Sequence, residues 1–351
     1  MMEKGEEGAY WNNGGPKVYS EEDLTSAIEA GVLPVETAIR VREHVARLRN
    51  VPAADEEYFR LISGFNDIFV VIACILLLVA VGGIGGMGSG RAGAACVAVV
   101  SWGLAEYFVR MRRMALPAIV LLLTFAGGVF GAAIGGERYY LTGGAAFIIP
   151  FGVTLLAAAL HWWRFKVPIT VACGAAATVG LLVSGLLYLF PPMKEHLAFM
   201  SFIGGVAVFF LAMWWDSRDV ARQTRRSDVA FWLHLLAAPL LVHPVFLTLG
   251  IFDGDISFAK ALIVLLLYTA IAFVSLCIDR RALMVSSLSY VVYTLAVLVE
   301  QYGTVNSAFL YASLVIGIVL LLLSAGWQKI RARGIARLPH SVRVKLPPVR
   351  A

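Results

Sequence analysis

The chain has 351 residues, of which 60% are hydrophobic and only 15% charged, with a mean hydropathy of +0.80. Soluble domains hold about 45–50% apolar and about 25% charged residues, so that class is excluded. The formal net charge of +6 comes without a basic face interleaved with aromatics, which argues against nucleic acid as a partner and sends attention to where the lysines and arginines lie.

The first stretch, MMEKGEEGAYWNNGGPKVYSEEDL, has no apolar core behind its charges and does not read as a cleavable secretory signal. Residues 1 to 65 are expected in the cytosol. The next segment, YSEEDLTSAIEAGVLPVETAIRVREHVARLR, predicts two short helices in a hairpin over about 20–50. Ser20 is placed to cap the first helix with Asp23 three residues on, Gly31 to stop it, and Pro34 to open the second. Ala38, Val41, Val45 and Leu48 recur at helical spacing and form one apolar stripe that must dock on the bundle, on a partner or on a second copy. VPAADEEY serves as the linker, so 1–60 is a cytosolic region and 61–328 the transmembrane domain. The run LTSAIEAGVLPVETAIRVREHV, followed by a short linker and many hydrophobic helices, resembles the prokaryotic membrane-protein family catalogued as domain-of-unknown-function family 2157, mainly over residues 20 to 80. That resemblance implies the architecture; no activity and no catalytic or binding residue comes with it.

A helix needs roughly 20 mainly apolar residues to cross a bilayer core about 30 Å thick. About ten segments meet that requirement: 68–87, 92–109, 114–134, 143–161, 167–190, 197–215, 229–251, 259–278, 282–300 and 307–327. The fold class expected is therefore all-α, a polytopic transmembrane helical bundle behind a small cytosolic hairpin. The links alternate in charge. One set carries Arg110, Arg112 and Arg113, then Arg164 and Lys166, then Arg218, Arg222, Arg225 and Arg226, then Arg280 and Arg281; the other carries only Arg91, Arg138, Lys194 and Lys260. Basic residues are retained on the cytoplasmic side, so eleven against four places both termini inside a plasma (inner) membrane of a prokaryote.

Within the spans, ionisable residues are the default functional candidates because burying them unpaired is costly. Asn66 and Asp67 open the first span, where Asn66 can cap the helix and Asp67 sits at its positive dipole end; the competing reading makes Asp67 the first residue of an ion or proton path. Gly82, Gly86 and Gly90, and then Gly127, Gly131 and Gly135, fall at four-residue spacing and read as close helix contacts. Glu106 stands four residues before Arg110, a pair on one helix face; the competing reading is a proton or cation site. The run HWWRFK, with His161, Trp162 and Trp163, reads as an interface anchor, and Asp216 and His234 lie near the same boundary.

The seventh span, VAFWLHLLAAPLLVHPVFLTLGIF, is the least ordinary. Pro239 and Pro244 each remove a backbone donor and predict a kink, with His243 beside the second. In the ninth span Ser286, Tyr290, Tyr293 and Glu300 share one helix face and supply a partner for His243, or line a path.

The isolated cysteines Cys74, Cys96, Cys173 and Cys277 read as packing residues, with no metal and no cofactor expected. The tail KIRARGIARLPHSVRVKLPPVR, in 329–351, holds seven basic residues and no acid; it reads as a topology anchor or as a contact for anionic lipid headgroups. No GxSxG, HExxH or Walker pattern occurs, so an intramembrane enzyme ranks third. The first expectation is a non-enzymatic component that senses, scaffolds or binds a partner through the hairpin, and the alternative is a secondary transporter or permease with a site near the seventh span.

Overall fold

A computed structural model of the chain describes residues 21–48, 65–134, 144–219, 224–250, 258–280, 282–302, 314, 317–318, 326–327 and 329–336. Every regular element among them is helical and no strand occurs. The chain divides into two units, Met1–Tyr58 and Phe59–Ala351.

In the first unit, α1 covers Glu21–Glu29 and α2 covers Val35–Leu48. Gly31 ends α1 with φ of +70°, a left-handed conformation open to glycine without cost. Pro34 stands just ahead of α2, and its carbonyl accepts the Thr37 and Ala38 N–H groups. Of the expected stripe, Ala38 is buried and Val41 exposed; the side chains of Val45 and Leu48, and all of Ser20, lie outside the described residues.

The second unit begins with α3, Phe65–Gly86, and α4, Gly90–Ala105, which runs directly into a π-helical turn, Glu106–Met111. Then follow α5 Ala115–Ile134, α6 Ala145–Phe165, α7 Ile169–Leu189, a 3-10 segment Pro191–His196, α8 Leu197–Ser217, α9 Arg225–Thr248, α10 Phe258–Ile278 and α11 Ala282–Tyr302. Among the described residues, seven helices are long and apolar enough to cross a membrane, from Asn66–Gly86 to Arg225–Thr248. They coincide with the first seven expected segments. α10 and α11 fall on the eighth and ninth, while most of the tenth, 307–327, lies outside the described residues.

Sequence neighbours pack on each other from α3 to α7, α8 packs on α9, and α9 also reaches α7 and α11. The core runs through the bundle in patches of small and branched side chains. Ala172, Val208, Ala212, Val229, Leu233 and Ala237 join α7, α8 and α9. Val242, Phe246, Val264 and Val291 join α9, α10 and α11.

Backbones approach closely at glycines, and of the four-residue rows Gly82, Gly86 and Gly131 take part while Gly90 and Gly127 do not; Gly135 lies outside the described residues. A Cβ on Gly93 would stand 2.5 Å from the Gly82 carbonyl oxygen and 2.9 Å from Gly86 Cα, so α3 and α4 touch through Gly82, Gly86 and Gly93. On α5 the contact falls on Gly128, beside the Ala94 carbonyl and Ala98, with Gly131 against Ala94; Gly90 and Gly127 face open space. The reason is the short link from Gly86 to Gly90, which sets which turn of α4 meets α3.

α9 runs as one helix through Pro239 and Pro244. Pro244 removes the donor that would serve the Leu240 carbonyl. At that level α8 presents Gly205, whose added Cβ would lie 2.8 Å from Leu240 C and 3.0 Å from Leu241 N. The proline and the glycine thus coincide at one tight crossing.

Candidate functional site

Three acid–arginine pairs lie where α4 and its π turn, α6, α8 and α10 finish. The deepest is built on Asp216, in the last turn of α8. Its carboxylate accepts from Arg280 Nη2 at 2.6 Å and Arg280 Nε at 3.3 Å, and lies 2.9 Å from His234 Nε2 of α9. Arg280 Nη2 also donates to the Ser227 carbonyl at 3.2 Å and to Ser227 Oγ at 3.1 Å. Asp216, His234 and Arg280 are all buried, Arg280 to 1% exposure. The Ser275 hydroxyl donates to the Arg280 carbonyl and fixes the turn from which that arginine projects. Three elements are tied by one carboxylate: α8 by the acid, α9 by His234 and Ser227, and the end of α10 by Arg280.

Chemically the carboxylate is satisfied. A side-on guanidinium neutralises the carboxylate and takes both its oxygens. His234 then completes the carboxylate as an Nε2–H donor, a tautomer assigned from this geometry. The link from α8 to α9 is tied separately. Asp219 accepts from Thr224 N at 2.8 Å and Thr224 Oγ1 at 2.6 Å, and Thr224 Oγ1 caps α9 by accepting from Arg226 N.

Glu106 repeats the arrangement. The expected pair with Arg110 is present at 3.4 Å, but the stronger partner is Arg164 at the end of α6, whose Nε and Nη2 donate to the two carboxylate oxygens at 2.6 Å and 2.8 Å. The pair is about one-third exposed. Glu106 also begins the π turn, a helix irregularity that rotates the following side chains. A third pair joins Asp279, just past α10, to Arg331 at 3.5 Å; Trp327 Nε1 donates to the same carboxylate at 3.0 Å, and Arg331 Nε to the Leu276 carbonyl at 3.1 Å. Residues 329–336 are helical, so the beginning of the basic tail is ordered structure with one of its arginines buried.

His161 faces the interior of the bundle. It is 1% exposed, with Nδ1 3.1 Å from the Thr170 hydroxyl and the rings of Phe165, Phe125 and Trp102 at centroid distances of 4.6, 5.7 and 6.0 Å. Sequence proximity to Trp162 and Trp163 suggested a belt. Only Trp163, 71% exposed, has the exposure a belt residue needs. Asp67 lies in the first turn of α3 and is buried. Asn66 is the second residue of α3, inside the helix and exposed, so it does not stand at the cap position.

His243 and Tyr290 do meet. Nδ1 of His243 is 2.7 Å from the Tyr290 hydroxyl, and Tyr290 stacks on Phe246 with centroids 4.6 Å apart and planes 9° from parallel. His243 is exposed, in contrast to the buried His161 and His234. Tyr293, three residues on, is partly exposed. The side chains of Ser286 and Glu300 lie outside the described residues. The four cysteines are free thiols, Cys74 buried and Cys96 exposed, and no group of three or more His, Cys, Asp or Glu side chains among the described residues is arranged to hold a metal.

What sequence reasoning missed are Arg164, Arg280 and Arg331, all counted as topology charges. A signal was available for two of the acids. An acid at the C-terminal end of a helix opposes the negative end of the helix dipole and calls for a cation; Asp216 lies in the last turn of α8 and Asp279 just past α10.

In fold and site the chain is a helical multi-pass membrane protein. No family model, no curated protein and no solved structure matches it.

Proposed function

We propose that the chain is a non-enzymatic component of a prokaryotic inner membrane, with about ten spans and both termini cytoplasmic, which binds a protein partner through α1 and α2. The observation that carries this reading is the state of the ionisable groups. The acids Glu106, Asp216 and Asp279 are each held by an arginine, which suits a scaffold with fixed helix ends better than a site that must bind and release charge. The amphipathic pattern of α2 supplies the partner surface, and the resemblance to domain-of-unknown-function family 2157 agrees with the layout of a hairpin ahead of many helices. Deleting residues 1–50 is expected to abolish partner recovery by crosslinking in intact membranes while the bundle still folds. Equal recovery from the deleted chain would remove the partner reading.

A second reading, a secondary transporter or permease, is favoured by one contact, His243 with Tyr290 on a proline-bearing helix. Kinked helices are where many transporters place their sites. Under this reading His243→Ala lowers solute flux in liposomes; unchanged flux excludes the path.

A further inference from the structure

A cleft of about 310 Å³ opens between the last turns of α10 and the helical segment 329–336. Phe273, Leu276 and Cys277 form one wall; Ile330, Arg331, Arg333, Gly334 and Ile335 form the other. The two arginines differ in state. Arg331 is buried and engaged by Asp279 and the Leu276 carbonyl, so it fixes the segment against α10. Arg333 is exposed, and among the described residues no carboxylate is paired with it. Phe273 and Ile330 are exposed apolar side chains on the rim, 46% and 38% accessible. Gly334 faces α10, since a Cβ there would sit in contact with the Phe273 ring at 3.7 Å.

We infer that this cleft holds an anionic phospholipid, with its phosphate on Arg333 and the first methylenes of an acyl chain along Phe273 and Ile330. Three features select that occupant. The cleft lies where a 21-residue apolar helix ends, the level at which headgroups stand. It joins an unpaired guanidinium to an apolar rim, and only an amphiphile satisfies both. Basic pockets beside helix ends on the positively charged side of a bundle are a recurrent form of anionic-lipid recognition. This goes beyond a diffuse attraction of the tail to the membrane, because it assigns the contact to one arginine and one wall. It needs only the membrane embedding and is independent of the partner reading.

The test is native mass spectrometry of the full chain in detergent micelles, titrated with phosphatidylglycerol or with phosphatidylcholine. The chain should retain phosphatidylglycerol more tightly. Arg333→Ala should weaken that binding about fivefold, the equivalent of one basic residue near a membrane surface, and leave phosphatidylcholine unchanged. Gly334→Leu, which fills the cleft without changing charge, should weaken it too. Lys329→Ala, on the same segment but outside the cleft, should weaken it less than Arg333→Ala does. Equal retention of the two lipids overturns the inference, as does an equal loss for Lys329→Ala and Arg333→Ala, which would mean diffuse attraction. Displacement of the lipid by inorganic phosphate would also overturn it in favour of a small-anion site.

Discussion

Asp216 and Asp279 stand where the field of their own helices opposes a negative charge, a cost of about 0.3–1 kcal/mol each, and Glu106 stands at the start of the π turn that closes α4. Each is compensated by an arginine from another element, and how much the arginine contributes depends on burial. Around Glu106 and Arg164, about one-third exposed, water and salt screen the pair, and its removal should cost about 1 kcal/mol. Arg164→Lys keeps the charge but loses the side-on fork. It should therefore show most of the loss of Arg164→Ala in a thermal unfolding series in detergent; full retention by lysine would mean that charge alone matters. The sequence makes only part of this legible. Glu106 with Arg110 follows from a spacing of four along one helix. Arg164 is 58 residues away, and nothing local marks it. The burial of His161 was illegible for a related reason, since its aromatic neighbours in the fold, Trp102, Phe125 and Phe165, do not include the adjacent Trp162 and Trp163.

At the scale of elements, the helices are defined by two kinds of contact. The first is the left-handed stop. Arg113, Lys166 and Asp279 have φ of 53°, 56° and 56°, and each lies just beyond the end of a helix. A non-glycine residue there bears about 1–2 kcal/mol of strain, accepted because the link to the next helix is only a few residues long. Lys166→Gly should therefore stabilise the bundle by up to about 1 kcal/mol; a lower melting temperature would show that the lysine side chain, over the Trp162 ring, contributes more than the strain. The second contact is the glycine crossing. Gly93→Val should disrupt the α3–α4 contact and lower the yield of folded protein, whereas Gly127→Val, facing open space, should be tolerated. The glycine rows were legible as contact surfaces, and Gly82, Gly86 and Gly131 do make contacts, yet spacing also selected Gly127 and Gly90 and missed Gly128 and Gly93. Which glycine meets the neighbour depends on how the short links seat each helix.

For the whole molecule, hydropathy alone identified the class and placed the first seven spans within a few residues, because a bilayer-length apolar run has few other uses. Pairing across the bundle was not legible, since Asp216 and Arg280 are 64 residues apart and each looks like ordinary boundary polarity. Their union with His234 and Ser227 fastens the ends of α8, α9 and α10 beside the apolar packing, and the scaffold account depends on it. Truncating one partner of a buried pair leaves an uncompensated charge and costs about 3–5 kcal/mol, while removing both costs less. A double-mutant cycle on Asp216→Ala and Arg280→Ala, followed by unfolding in detergent, is therefore the most direct test. Each single variant should lose about 3 kcal/mol or more, and the double variant clearly less than their sum. Single losses under about 1 kcal/mol that simply add would contradict the account, because the acid and the arginine would then act separately and the bundle would not be fastened at this end.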